Sequence, residues 1–171
     1  DKNLAHFSSL LENVTGVDLF VRPEMFNSGF TMNSDNIGQT MQGKAVCWLQ
    51  KMANEKDAVF VASLIILENN TRFNRLVWVT PNGGTKTYNK KHLFRMANEH
   101  DYFTPGNERV IIEYKGIRFC PQICYDLRFP IWSRNSDGQS KLPIYDCLIY
   151  VANWPKVRSD AWTSLLKARA I

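Results

Sequence analysis

The sequence has no apolar run approaching the ~20 residues that cross a bilayer, so no membrane association is expected. Its first residues, Asp1-Lys2-Asn3-Leu4, lack the basic-then-apolar order of a secretory signal, and a cytoplasmic location is the expectation. It has no internal repeat, no low-complexity segment and no compositional shift that would mark a linker. One domain over residues 1–171 follows from that. Cysteine is sparse. The four present, Cys47, Cys120, Cys124 and Cys147, have no CxxC spacing, which speaks against a zinc site or a disulfide frame. Dense basic clusters are also missing. The net charge is +5, from 21 basic and 16 acidic residues, but Lys and Arg are scattered. The one cluster, Lys90-Lys91-His92 with Arg95, sits inside an apolar-aromatic segment. The electrostatic footprint of a nucleic-acid binder is therefore absent.

What the chain does have is enough apolar matter for a core: 44% hydrophobic over 171 residues, with 22% charged. Leu4, Phe7, Leu10, Leu11 and Val14 recur at helical spacing, and Gly16 ends that run. Val17 to Val21 reads as a short buried strand stopped by Pro23, with Glu24 just beyond its end. A polar loop through Ile37 follows. A second helical stripe, with Met41, Ala45, Trp48, Leu49 and Met52, is expected between Gln39 and Lys56. Ala58 to Leu67 and Phe73 to Thr80 are strand-like, and Pro81-Asn82-Gly83-Gly84 supplies a tight turn into Thr85 to Tyr88. Val110 to Tyr114 and Ile117 to Ile123 form a second hairpin, turning at Lys115-Gly116. A short helix is expected over Leu127 to Arg134, then a polar loop. Beyond it come a strand, Asp146 to Ala152, and a helix, Ser159 to Ala170, with Ser159 as N-cap. Hairpins and crossovers together predict mixed α/β sheets. Nearly continuous apolar strands need cover on both faces, so two sheets packed together with helices outside are expected.

The most informative segment is Phe119-Cys120-Pro121-Gln122-Ile123-Cys124-Tyr125-Asp126-Leu127-Arg128-Phe129-Pro130. An apolar strand ends at Cys124 and a polar turn begins at once, the layout of a nucleophile on a sharp turn with free backbone N–H groups beside it. Cys47, Cys120 and Cys147, by contrast, read as small buried hydrophobes. Glu24 and Lys90 also lie just past predicted strand ends, and in layered α/β sheets those ends share one rim. A thiol needs a base or a cation to react near neutral pH. A carboxylate takes the proton, and an ammonium stabilises both thiolate and oxyanion. Taken singly, each residue has a plainer reading: solvated surface for Glu24, a charged face for Lys90, core for Cys124.

The words around these residues resemble the nitrilase superfamily of carbon–nitrogen hydrolases. They are Arg22-Pro23-Glu24-Met25-Phe26, Tyr88-Asn89-Lys90-Lys91-His92-Leu93-Phe94, Cys124-Tyr125-Asp126-Leu127-Arg128-Phe129-Pro130 and Ala152-Asn153-Trp154-Pro155, followed by Leu165 to Ile171. The resemblance implies a four-layer α-β-β-α sandwich, pairing into a homodimer, and C–N bond cleavage through a thioester on Cys124. It assigns a Glu-Lys-Cys triad to Glu24, Lys90 and Cys124, with Lys90 rather than Lys91 because the family's lysine stands two residues before His-Leu-Phe. Glu99, shortly before Pro105-Gly106, matches the family's second glutamate. Lys90 and the Tyr125 backbone N–H would hold the oxyanion.

Cys-Tyr-Asp-Leu-Arg-Phe-Pro is similar to the amidase branch, where nitrilases proper carry a Cys-Trp-Glu type sequence. His92 to Met96, Glu99-His100 and Ala152 to Pro155 are similar to bacterial omega-amidases, which hydrolyse 2-oxoglutaramate and 2-oxosuccinamate. Such a substrate carries a carboxylate, so a cation should face the pocket. Arg95 and Arg128 are the candidates, although a structural salt bridge is the plainer role for Arg128. Phe30 and Trp154 are candidate apolar walls, and Asn153 is a further substrate-binding candidate. No cofactor is implied. No metal site is expected either, because the adjacent Glu99, His100 and Asp101 side chains do not converge on one ion. The alternatives are another amidase of the family, a Cys–His hydrolase using Cys124 and His92, and a binding protein that kept the fold. Family members begin with a strand before the residues at Asp1 to Val14 and continue past Ile171, so a sandwich shortened at both ends is expected.

Overall fold

Period-2 alternation along one long strand sets the architecture. The computed structural model describes residues 2–136, 138 and 142–171. Strand β2 (Val59–Glu68) pairs in parallel with β1 (Leu19–Val21) and antiparallel with β3 (Thr71–Val79), which continues into β4 (Thr85–Asn89). One face of β2, with Phe60, Ala62, Leu64 and Ile66, packs against Leu4 and Leu11 of α1 (Lys2–Leu11) and against Val46, Leu49 and Met52 of α3 (Lys44–Lys56). The opposite face, with Val59 and Val61, joins Leu76, Trp78, Phe119, Ile123 and Val151. Those last three belong to a second sheet, ordered β5 (Ile112–Tyr114), β6 (Ile117–Ile123) and β7 (Cys147–Val151). There β5 and β6 are antiparallel while β6 and β7 are parallel. Both sheets are therefore mixed, as the hairpin and crossover signals predict.

The outer face of the second sheet carries α5 (Ser159–Ala170), whose Trp162 packs edge-on against Tyr150 of β7 at 6.5 Å between ring centroids. Arg169 ties the same helix down by donating to the Leu127 carbonyl at 2.9 Å. The order helix, sheet, sheet, helix is the expected four-layer sandwich. Two short helices, α2 (Ser34–Ile37) and α4 (Glu99–Tyr102), lie in the connections.

Several local expectations are corrected. The second helix starts at Lys44 rather than Gln39, because Gln39 bridges to Ile66 in the sheet and its Oε1 accepts the Ala45 N–H at 2.9 Å. The helix expected over Leu127 to Arg134 is instead a 3₁₀ turn, Cys124–Arg128. The Asp126 carboxylate accepts the Ile123 N–H there at 3.0 Å, closing the turn locally in a way that competes with a regular helix. Ser159 is not a cap: it is already helical, and its hydroxyl donates back to the Lys156 carbonyl at 2.5 Å. Cys47 is exposed and Cys147 half-buried, so only Cys120 of the three is a fully buried hydrophobe. On α3 the buried stripe runs through Ala45, Val46, Leu49, Met52 and Ala53, which turns Cys47 to solvent. Of the polar loop expected after Arg134, Asp137 and residues 139–141 lie outside the described residues.

Candidate active site

The carboxyl ends of β1, β4 and β6 share one rim, and each delivers one side chain to it. Beyond β1, the Arg22 N–H still pairs with the Val61 carbonyl at 2.7 Å, and Pro23 then ends the ladder. Met25 adopts a left-handed conformation, φ 47°, and its N–H is caught by the Ser63 hydroxyl at 2.9 Å. Glu24 is thereby turned inward and fully buried. Beyond β4, the Lys90 N–H donates to the Asn74 carbonyl at 2.9 Å, and its chain enters the interior. Beyond β6, Cys124 stands at φ 44°. A non-glycine residue held in this region stores local strain, a common feature of functional turns.

Lys90 Nζ lies 2.7 Å from Glu24 Oε1, and 2.8 and 3.1 Å from the two oxygens of Glu99. The side chains of all three are sealed from solvent. Two ions taken out of water cost several kcal/mol each unless their remaining hydrogen-bonding positions are filled. Here they are filled. Asn74 Nδ2 donates to Glu24 Oε1 at 2.8 Å and to Glu99 Oε1 at 2.9 Å. The Phe94 N–H donates to Glu99 Oε2 at 2.6 Å, and the Asn153 N–H to Glu24 Oε2 at 3.2 Å. Burial works to lower the Lys90 pKa, but the flanking Glu24 and Glu99 carboxylates prevail and raise it, so the ammonium is firmly held. For Cys124, burial and then the Glu24 carboxylate push the thiol well above its ordinary range, against the opposing pull of Lys90. Burial and Glu24 both favour the protonated sulfur in the resting site.

A second network fixes the relation between the lysine turn and the cysteine turn. The buried Asp126 carboxylate accepts Tyr88 O–H at 2.8 Å, the His92 N–H at 2.9 Å, His92 Nδ1 at 2.8 Å and the Ile123 N–H at 3.0 Å. Tyr88 and His92 flank Lys90, while Ile123 precedes Cys124. One carboxylate thus staples the two turns together. His92 also stacks on Phe129, with centroids 3.6 Å apart, and lies outside the pocket lining.

That pocket is lined by Glu24, Phe30, Lys90, Phe94, Cys124, Tyr125, Asn153, Trp154, Pro155 and Arg158. Of the residues expected from sequence, Glu24, Lys90, Cys124, Tyr125, Phe30, Asn153 and Trp154 come together here, with Glu99 directly behind Lys90. Arg95 and Arg128 do not. Arg95 is exposed in the turn Arg95–Ala97, because the chain must wind outward between Phe94 and Glu99 for the Phe94 N–H to reach the Glu99 carboxylate. Arg128 is also exposed, 5.4 Å from the Trp154 ring centroid, a cation–π contact in place of the expected salt bridge. Sequence reasoning passed over Asn74, Phe94, Pro155 and Arg158. Asn74 had left a signal: it is a polar residue inside the strand run Phe73 to Thr80. Among the described residues no group of three or more His, Cys, Asp or Glu could hold a metal ion, and no helix is long and apolar enough to cross a membrane.

Known proteins resemble this chain over nearly its whole length. The chain is 46% identical over 169 residues to omega-amidase YafV of Escherichia coli, an alignment covering 99% of this chain and 63% of that protein. It is 33% identical over 157 residues to 2-oxoglutaramate amidase of Bacillus subtilis, covering 90% of this chain and 59% of that one. It therefore spans about three-fifths of the length of these relatives. The crystal structure of XC1258 from Xanthomonas campestris is a CN-hydrolase superfamily protein with an arsenic adduct in the active site. It superposes with a TM-score of 0.95 at 40% identity, covering 99% of this chain and 65% of that one. Nit3 of Saccharomyces cerevisiae, a nitrilase superfamily member, shares the fold with a TM-score of 0.79 at 22% identity, over 99% of this chain and 65% of that one. The carbon-nitrogen hydrolase family profile matches residues 1–171, and the chain belongs to that family.

Proposed function

We propose that this chain carries the catalytic centre of an omega-amidase, which releases ammonia from a small carboxylate-bearing amide such as 2-oxoglutaramate or 2-oxosuccinamate. The observation that carries the reading is the sealed Lys90 ammonium, clasped by Glu24 and Glu99 at the back of the pocket that Cys124 lines. In the first half-reaction Glu24 takes the thiol proton as Cys124 Sγ bonds to the amide carbon. Lys90 and the Tyr125 N–H receive the oxyanion. Collapse of the adduct breaks the C–N bond, Glu24 passes its proton to the nitrogen, and ammonia leaves a thioester on Cys124. In the second half-reaction Glu24 takes a proton from water, which attacks the thioester. The C–S bond breaks, the acid departs, and the proton returns to sulfur. Glu99 and Asn74 do no chemistry in this scheme; they hold Lys90 and Glu24 in register.

The relatives' names support this substrate class, and the ring-lined pocket suits a short chain. The homodimer implied by the family resemblance, and a cytoplasmic location consistent with four free thiols, belong to the same reading. The test is ammonia release from 2-oxosuccinamate by the wild type and by Cys124→Ala, with mass spectrometry of the acyl adduct. Turnover by the alanine variant at the wild-type rate would end the proposal.

A further inference from the structure

The pocket contains one charged side chain that the mechanism leaves unused. Glu24 and Lys90 are already paired, with Glu99, in one buried ion cluster, whereas Arg158, also in the lining, forms no ion pair among the described residues. Its guanidinium lies 5.6 Å from the Phe94 ring centroid and 3.8 Å from Met96 Sδ. Neither contact offers a negative charge. The position is built rather than incidental. The Arg158 N–H donates to the Pro155 carbonyl at 2.9 Å, and its own carbonyl accepts Trp154 Nε1–H at 2.9 Å. The turn Lys156–Arg158 is thus pinned to the wall that Trp154 and Pro155 contribute to the same pocket.

A half-buried guanidinium resting on an aromatic face and lacking a counter-ion favours a planar anion, which it can grip through two parallel N–H donors. We infer that Arg158 is the substrate-carboxylate anchor: it binds the acid end of a short amide whose other end reaches Cys124, with Phe30, Phe94 and Trp154 enclosing the carbons between. This rests on the amidase reading and assigns to Arg158 the role that sequence had offered to Arg95 and Arg128. Those two are exposed and outside the lining.

The experiment compares kcat/KM for 2-oxosuccinamate and for butyramide, which lacks the carboxylate, in the wild type, Arg158→Met and Arg158→Lys. A charge-assisted pair lost from a half-buried guanidinium costs roughly 10- to 100-fold. Arg158→Met should lose about that factor on the anionic amide, mainly through KM, and at least tenfold less on butyramide. Arg158→Lys should recover part of the loss. Equal losses on both amides, or none on the anionic one, would overturn the assignment. Calorimetric titration with 2-oxoglutarate reads the anchor without turnover. Binding by wild type and not by Arg158→Met upholds the anchor even if neither amide is hydrolysed, a result that would sink the amidase reading alone. No binding by wild type would sink the anchor.

Discussion

The helix-covered face of β2 and the rim at the strand ends are built on opposite physical principles. The face under α1 and α3 is wholly apolar: Phe60, Ala62, Leu64 and Ile66 meet Leu4, Leu49 and Met52, all buried. The rim at the strand ends instead buries Glu24, Lys90, Glu99, Asn74 and Asp126. The first region is held by apolar packing, and its few polar groups lie at its edge, with the Arg22 guanidinium over the Phe7, Phe20 and Phe60 rings and Trp48 Nε1–H donating to the Ser8 hydroxyl at 2.9 Å. The second tolerates charge only because nearly every polar atom has a partner at hydrogen-bond distance. Core packing degrades by volume, whereas the rim degrades by leaving a charge unmatched.

The largest effect expected is on turnover at the rim. Cys124→Ala should lower amide hydrolysis by ~10⁴-fold or more with little change in the unfolding midpoint, measured by ammonia release and denaturant titration. Next come two variants of similar cost and different origin. Phe60→Ala leaves a cavity and should cost about 3–5 kcal/mol. Lys90→Met leaves Glu24 and Glu99 facing each other without a cation and should also cost about 3–5 kcal/mol. Removing the charge separates them: adding Glu24→Gln and Glu99→Gln should shrink the Lys90→Met deficit and leave the Phe60→Ala deficit unchanged, read from denaturant titration. If the glutamine changes relieve both deficits alike, or neither, the contrast between the regions is wrong.

A smaller effect is expected on thiol reactivity. Because burial and Glu24 hold the Cys124 thiol above its ordinary range, iodoacetamide labelling of Cys124 should be slow at pH 7 and still rising beyond pH 9. A plateau below pH 8 would mean a preformed thiolate. The smallest effect lies outside both regions. Hydrogen bonds from Arg118 hold the exposed Asp146 carboxyl at about 2. A depressed carboxylate contributes stability above its unfolded pKa of about 3.9 and loses it as pH falls toward the folded value. Wild type should therefore shed slightly more stability than Asp146→Asn between pH 4 and 2, read from acid titration of the melting temperature.

Much of this was legible along the chain. The strand order could be read because apolar alternation and the Pro81-Asn82-Gly83-Gly84 and Lys115-Gly116 turns are local signals. Glu24, Lys90 and Cys124 could be read as rim residues because each follows a strand end within three positions. Arg158 could not. Nothing in Lys156-Val157-Arg158 separates it from Arg95 or Arg128, since all three are arginines beside aromatic segments. Asn74 showed only as a polar residue inside a strand pattern, a signal that marks the position without naming the partners it faces.

Sequence alone determined which residue types stand at the ends of which strands, because backbone periodicity and turn chemistry act over a few neighbours. Only the tertiary structure decided that Lys90 is clasped by two carboxylates while Lys91 is not, that Asp126 joins two turns, and that Arg158 rather than Arg128 lines the pocket. Those outcomes depend on residues up to 129 positions apart meeting in one place, as Asn153 and Glu24 do, and no local pattern carries that information.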